Sequence, residues 1–215
     1  MREDEVPGRA PMSSGASRGL QQMTTMLDLD APARRLAAVV AGIRDDQLHA
    51  PTPCADMPVA ALLDHVVGLT AAFRDCAAKI PTAQPPVAAA DRLDPQWRAT
   101  IPRQLDELVA AWKDPAAWEG EATAGGVTMP APVIAQVTVD ELVLHGWDLA
   151  RATGQSYEPD AASVEVVHAF TAAVAAEGVT DGLFGPPVDV RADAPLFDRA
   201  LGLSGRDPAW APGHA

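Results

Sequence analysis

The sequence predicts an all-α fold, a helical bundle, on three observations. Apolar residues recur at three-, four- and seven-residue intervals in several separate segments, the period of helices that each bury one face. Prolines and glycines punctuate the chain between those segments, while strand signal is limited to short stretches. Hydrophobic residues make up 48% of the 215, enough to fill a core, and length alone favours one generous domain or one domain with an appendage.

Residues 1–22 carry Pro, Gly, Ser and mixed charge without an apolar period and are expected to be a disordered extension, with Met23 and Met26 as alternative starts. The first helix runs from about Leu27 to Gly42, with Leu29, Leu36, Val39, Val40 and Ile43 on its buried side. Asp45 to Leu48 reads as a short helical turn, and Pro51, Pro53 and Cys54 as a rigid connection. A second helix starts near Asp56, a good N-cap, with Pro58 just inside the first turn, and fades near Lys79; Leu62, Leu63, Val66, Val67, Leu69 and Phe73 form its stripe. After a loop over Pro81–Ala90, a third helix spans about Pro95 to Trp112, where Pro102 should kink it or mark its true start. Gly120–Met129, with Gly125-Gly126 at its centre, is a small hairpin or an irregular crossover. The fourth helix, about Pro132 to Thr153, is stopped by Gly154, and a fifth runs from about Asp160 to Glu177, ended by Gly178. The remainder holds a short extended Val188-Asp-Val190 and a helix near Ala194–Leu203. The organisation is thus an extension over 1–22, a bundle over 23–178, and a C-terminal extension over 179–215 packing on the bundle.

Sixteen basic against 29 acidic residues give a net charge of −13. That balance argues against nucleic acid and against an anionic membrane surface, both of which are bound through cations. No apolar run approaches the roughly 18 residues of a membrane span, and the acidic start is no secretory signal, so a cytoplasmic location is expected. Cys54 and Cys76 lack Cys-x-x-Cys spacing and read as idle reduced thiols.

Of five histidines, His49 and His168 read as ordinary surface or half-buried residues, and His214 sits in the tail. The fourth helix carries Asp140-Glu-Leu-Val-Leu-His-Gly-Trp-Asp148, which places Glu141 and His145 four apart on one face, with Asp148 at the next turn. Val137, Leu144 and Ala152 border that row, and a carboxylate held among apolar residues wants a cation. A surface Glu/His pair and a Glu–Arg salt bridge are the plain alternatives. His65 falls inside the apolar stripe of the second helix, where a core histidine bonded to a carbonyl is the plain reading. Bundles build metal sites from such facing positions, and two imidazoles with one carboxylate leave a coordination position open.

These residues carry a resemblance. Thr52-Pro-Cys-Ala-Asp-Met-Pro-Val-Ala-Ala-Leu-Leu-Asp-His65-Val-Val-Gly resembles the Thr-Pro-Cys-x-x-Trp-x-Val-x-x-Leu-x-x-His-x-x-Gly stretch of actinobacterial-type DinB/YfiT-like metal-binding proteins, relatives of the N-terminal domain of mycothiol-dependent maleylpyruvate isomerase. Glu141-Leu-Val-Leu-His145-Gly-Trp-Asp-Leu-Ala-Arg-Ala-Thr-Gly154 is similar to the same family's second motif, and Phe184-Gly-Pro-Pro-Val with Gly205-Arg-Asp-Pro to its closing segment. Met57 departs from the usual Trp, and only about 37 residues follow Gly178 where the characterised isomerase carries a folded C-terminal domain.

The resemblance implies a DinB-like four-helix bundle with additional C-terminal helices. It also implies a divalent metal, usually zinc, on His65, Glu141 and His145; two histidines and a carboxylate would equally suit Fe(II) or Ni(II). The activity expected is a mycothiol-dependent S-transferase or isomerase, with a small-molecule thiol and an electrophilic substrate as partners and homodimers allowed. Asp148 is the candidate catalytic or orienting carboxylate, fixing an imidazole tautomer or accepting a proton, against a plain pairing with Arg151. A non-catalytic metal-stabilised binding bundle and a metal-dependent hydrolase are the competing classes.

Overall fold

The computed structural model describes residues 26–54, 57–83, 87–177 and 183–212, and its architecture is helical with one small hairpin. The expectations for 1–22, for an N-cap at Asp56, for a stop at Gly178 and for His214 lie outside the described residues. Among the described residues six α-helices form: α1 (Asp30–Gly42), α2 (Val59–Ala77), α3 (Trp97–Trp112), α4 (Ala131–Thr153), α5 (Ala161–Glu177) and α6 (Leu196–Leu203).

The longest of them, α4, lies at the centre and packs against α1, α2 and α5, while α2 packs on α3 and α5 on α6. Its position follows from its sequence, since apolar residues surround its axis and a helix apolar on all sides must be buried on all sides. Leu36 of α1, Leu62 and Leu63 of α2, Leu105 and Leu108 of α3, and Ile134, Leu142 and Leu149 of α4 are removed from solvent. Each such side chain stabilises the fold by about 1.5–3 kcal/mol relative to exposure.

The start of α2 differs slightly from expectation. Pro58 occupies the cap position rather than the first turn, and no side chain caps the helix. The preceding loop supplies the acceptors instead: Val59 N–H donates to the Ala50 carbonyl (3.0 Å) and Ala60 N–H to that of Leu48 (2.9 Å). Those bonds satisfy helix-end donors and fix the loop carrying Thr52 to Cys54 against the end of α2. Pro102 neither starts nor ends α3, which begins at Trp97 and runs through it. At the other end of α3, Trp112 Nε1–H donates to the Phe73 carbonyl of α2 (3.1 Å), and Trp118 Nε1–H to the Trp112 carbonyl (2.8 Å). Trp118 sits in a short 3-10 turn over Pro115–Trp118 that the sequence did not signal.

The stretch around Gly125-Gly126 is a hairpin, not a crossover: β1 (Glu121–Ala124) pairs antiparallel with β2 (Val127–Pro130) in the register Ala124↔Val127. Gly125 and Gly126 have φ of 58° and 82°, as a two-residue hairpin turn with both central residues left-handed requires. Asp160 caps α5, accepting from the Ser163 N–H at 3.0 Å, and Gly154 closes α4 in the left-handed conformation. Among the described residues no helix is long and apolar enough to cross a membrane.

Candidate metal centre

Helix α4 places Glu141, His145 and Asp148 along one side, and α2, packed against it, brings His65 to the same place. Both imidazole Nε2 atoms converge on one oxygen, Glu141 Oε2, at 2.9 Å from His145 and 3.4 Å from His65. The two rings stand perpendicular with centroids 4.9 Å apart. One potential ligand atom from each of the three residues therefore lies within 4.8 Å of the others, a spacing that one cation can span. His145 is buried, whereas His65 and Glu141 are half-buried and face a pocket of about 280 Å³.

Behind His145 the polar chain continues. Its Nδ1 lies 3.0 Å from Asp148 Oδ2, and Asp148 is fully buried. Asp148 does not pair with Arg151, which instead donates through Nε to the Trp210 carbonyl at 3.1 Å. Its cation is Arg206, from the segment after α6: Nε donates to Oδ1 at 2.9 Å and Nη2 to Oδ2 at 2.8 Å. This forked geometry satisfies both carboxylate oxygens at once. Arg206 Nη1 is held in turn by Ser204, through its Oγ at 3.2 Å and its carbonyl at 3.4 Å.

Burial and pairing compete in setting these protonation states. Burial works against the charged form of His145, but hydrogen bonds to Asp148 and Glu141 outweigh it and the pKa rises to about 9. Burial likewise opposes ionisation of Glu141, yet its bonds with His145 and His65 hold it below the usual carboxylate range. Asp148 is also lowered, against its burial, chiefly by the Arg206 charge. The Cys54 thiol, which shares the pocket, is pushed up to about 12 by burial and by Asp148, so it stays a thiol and is a poor nucleophile.

All four site residues read from the sequence thus meet in one place, while His49 and His168 take no part in it. Arg206 and Asp140, the latter on the pocket wall beside Glu141, were not foreseen. A signal existed for the first: three carboxylates on an apolar helix demand more positive charge than two histidines supply.

A helical bundle with a histidine of one helix facing a Glu/His pair of another defines the class: the chain is a DinB-like helical bundle. It belongs to the family of the mycothiol maleylpyruvate isomerase N-terminal domain, whose sequence model matches residues 29–150. Two uncharacterized proteins from two strains of Mycobacterium tuberculosis are each 33% identical over 135 residues, a match covering 58% of this chain and 64% of theirs. Crystal structures of the mycothiol-dependent maleylpyruvate isomerase and of a histidine-to-alanine mutant superpose with a TM-score of 0.52 at 15% identity, over 66% of this chain and 66% of theirs. At that identity the likeness concerns the fold.

Proposed function

We propose that His65, Glu141 and His145 hold one divalent cation, zinc in the first instance, and that the site presents mycothiol to an electrophile in an isomerase or S-transferase reaction. The observation that carries this reading is the convergence of both Nε2 atoms on a single Glu141 oxygen. The donor set supports it: two imidazole nitrogens and one carboxylate oxygen within 4.8 Å of one another are a three-ligand set that leaves a coordination position open.

When bound, such a cation lowers the pKa of a coordinated thiol and so supplies the nucleophile. The protein's own residues do the rest. Asp148 accepts the Nδ1–H of His145, which fixes the tautomer and aims Nε2 at the metal position. Because both of its oxygens are engaged and it is out of reach of solvent, Asp148 orients rather than exchanges protons. Arg206 keeps that carboxylate ionised and in place. Met57, Leu144 and Phe184 give the pocket apolar walls that limit water at the reacting thiol. His65 and Glu141 face the pocket, so a ligand reaches the metal position from that side.

Elemental analysis of the purified protein tests the metal: about one zinc per chain, as a single three-ligand site implies, with strong loss in His145→Ala. Mycothiol with maleylpyruvate, then with a panel of other electrophiles, tests the chemistry. Zinc uptake with no thiol turnover on any electrophile would favour a binding bundle, and turnover of an ester or amide without thiol a hydrolase.

A further inference from the structure

Asp140 stands outside the chain of contacts that runs from His65 to Arg206, yet it lines the same pocket. It is 2% exposed, and its Oδ1 has no hydrogen-bond partner among the described residues. The charged groups around it are Glu141, His145 and Asp148 of its own helix and Arg206 of the C-terminal segment. None of them serves it. Arg206 directs its fork to Asp148 and its Nη1 to Ser204, and Glu141 is engaged by the two histidines.

Leaving a buried acceptor unmatched costs about 1–3 kcal/mol, more when it is charged, and folded proteins seldom keep such a group without use. No hydrogen bond among the described residues uses a carboxyl here, and an apolar side chain would fill the place without that penalty. Much of the remaining wall is apolar or already engaged. Pro53, Met57, Leu144 and Phe184 present apolar surface, and Ser204 Oγ already donates to the Leu201 carbonyl and accepts from Arg206.

We infer that Asp140 is the recognition group of this pocket, accepting a hydrogen bond from an N–H or O–H donor on the thiol held beside it. The site then selects thiols that carry such a donor close to the sulfur over simple alkyl thiols. This deepens the proposed function and rests on its reading of the pocket as a thiol site. In that role Asp140 is a specificity determinant; the metal position is held by other residues.

The test is calorimetric titration of zinc-reconstituted wild type, Asp140→Ala and Asp140→Asn with two probes. Mycothiol carries amide and hydroxyl donors, whereas 1-propanethiol has no donor apart from its thiol. Mycothiol affinity is expected to fall at least tenfold in Asp140→Ala and to recover to within about threefold of wild type in Asp140→Asn, which keeps an acceptor oxygen. Affinity for 1-propanethiol should change less than twofold in both. The zinc-free Asp140→Ala protein should melt no lower than wild type, because the lost carboxyl has no partner. Equal loss for both thiols, no loss for mycothiol, or a clear drop in melting temperature in both variants would overturn the inference while leaving the thiol reading intact. Wild type that takes up zinc and binds neither thiol would overturn both.

Discussion

Arg206 and Asp148, 58 residues apart, form a buried two-point ion pair with N–O distances of 2.9 and 2.8 Å. It fastens the segment after α6 to the centre of α4, directly behind the imidazole that faces Glu141. On the proposed metal reading, stability and metal affinity are coupled through one contact.

Removing the cation exposes that coupling. Arg206→Met leaves Asp148 buried without its cation and with His145 Nδ1 as its remaining partner, and breaking a buried pair in this way costs about 3–5 kcal/mol in comparable sites. The Asp148 carboxylate that aims the His145 ring is then no longer held from behind, and such supporting groups typically contribute about 10–100-fold in metal affinity. Urea denaturation should report the first effect and competitive zinc titration the second. Arg206→Lys retains charge but not the fork, so it should recover only part of each. Unchanged zinc affinity in Arg206→Met would separate the ion pair from the metal centre.

The pH dependence of the metal-free protein follows from His145. Its pKa stands at about 9 in the folded state, raised by Asp148 and Glu141 against the effect of burial, from an ordinary value of 6.5. A group raised in this way stabilises the fold fully below its unfolded pKa and loses that contribution as pH climbs through the folded one. Metal-free protein should thus lose on the order of 3 kcal/mol between about pH 6.5 and pH 9, since each pH unit separating the two values corresponds to roughly 1.4 kcal/mol. Glu141 and Asp148, both lowered, supply the acid limb: their contribution is present above the unfolded carboxylate pKa and disappears as pH falls below the usual range. Zinc competes with the His145 proton, so its affinity should rise about tenfold per pH unit across the same alkaline window. Denaturation and zinc titration at pH 6.5, 8 and 9 check both slopes; a flat alkaline profile would mean that His145 is already neutral at pH 6.5.

What the sequence discloses depends on whether the partner is near in the chain. The buried faces of α1 to α3 follow from period alone, and Glu141 with His145 from four-residue spacing. His65 is legible because a histidine inside an apolar stripe must face the core side. Asp148 had two local suitors, His145 three residues before and Arg151 three after, and sequence cannot choose between them. The choice is made by Arg206, which arrives through an irregular segment with no periodicity to place it. Asp140 escapes for a different reason: α4 is buried almost all round, so no polar face marks which of its carboxylates has a partner and which has none. The turn at Pro115–Trp118 is too short to show any period.

Gly202 offers a way to disturb Arg206 without touching it. A Cβ added there would stand 2.7 Å from the Val188 carbonyl oxygen and 2.5 Å from Val190 Cγ2. The first neighbour is backbone and cannot rotate away. The Val188 N–H also donates to the Gly202 carbonyl at 2.9 Å, so the two stretches of chain are locked at this approach. Gly202→Ala should cost about 1–3 kcal/mol as an overpacking substitution. Zinc affinity should fall with it, because α6 and the Arg206 segment must shift together. Gly68→Ala is the matched control, with open space around its added methyl. It sits one turn from His65 and should be neutral or slightly stabilising through helix propensity.

Gly146, directly after His145, tests how tightly the imidazole is positioned by its surroundings. An added Cβ would lie 2.7 Å from the Tyr157 hydroxyl and 2.8–2.9 Å from two of its ring carbons. Tyr157 is half-buried beside Phe197 of α6, with ring centroids 6.4 Å apart, and its buried hydroxyl has no hydrogen-bond partner among the described residues. A ring displaced toward Phe197 presses on α6, the helix that leads to Arg206. Gly146→Ala is therefore expected to lower the melting temperature by several degrees, the equivalent of about 1–3 kcal/mol of overpacking. Adding Tyr157→Phe removes the hydroxyl at 2.7 Å, an unmatched buried group, but keeps the ring carbons at 2.8–2.9 Å, so the double variant should recover only part of the loss. Strictly additive effects in that double-mutant cycle would show that the two side chains do not press on each other, and that the space behind His145 is looser than the packing implies.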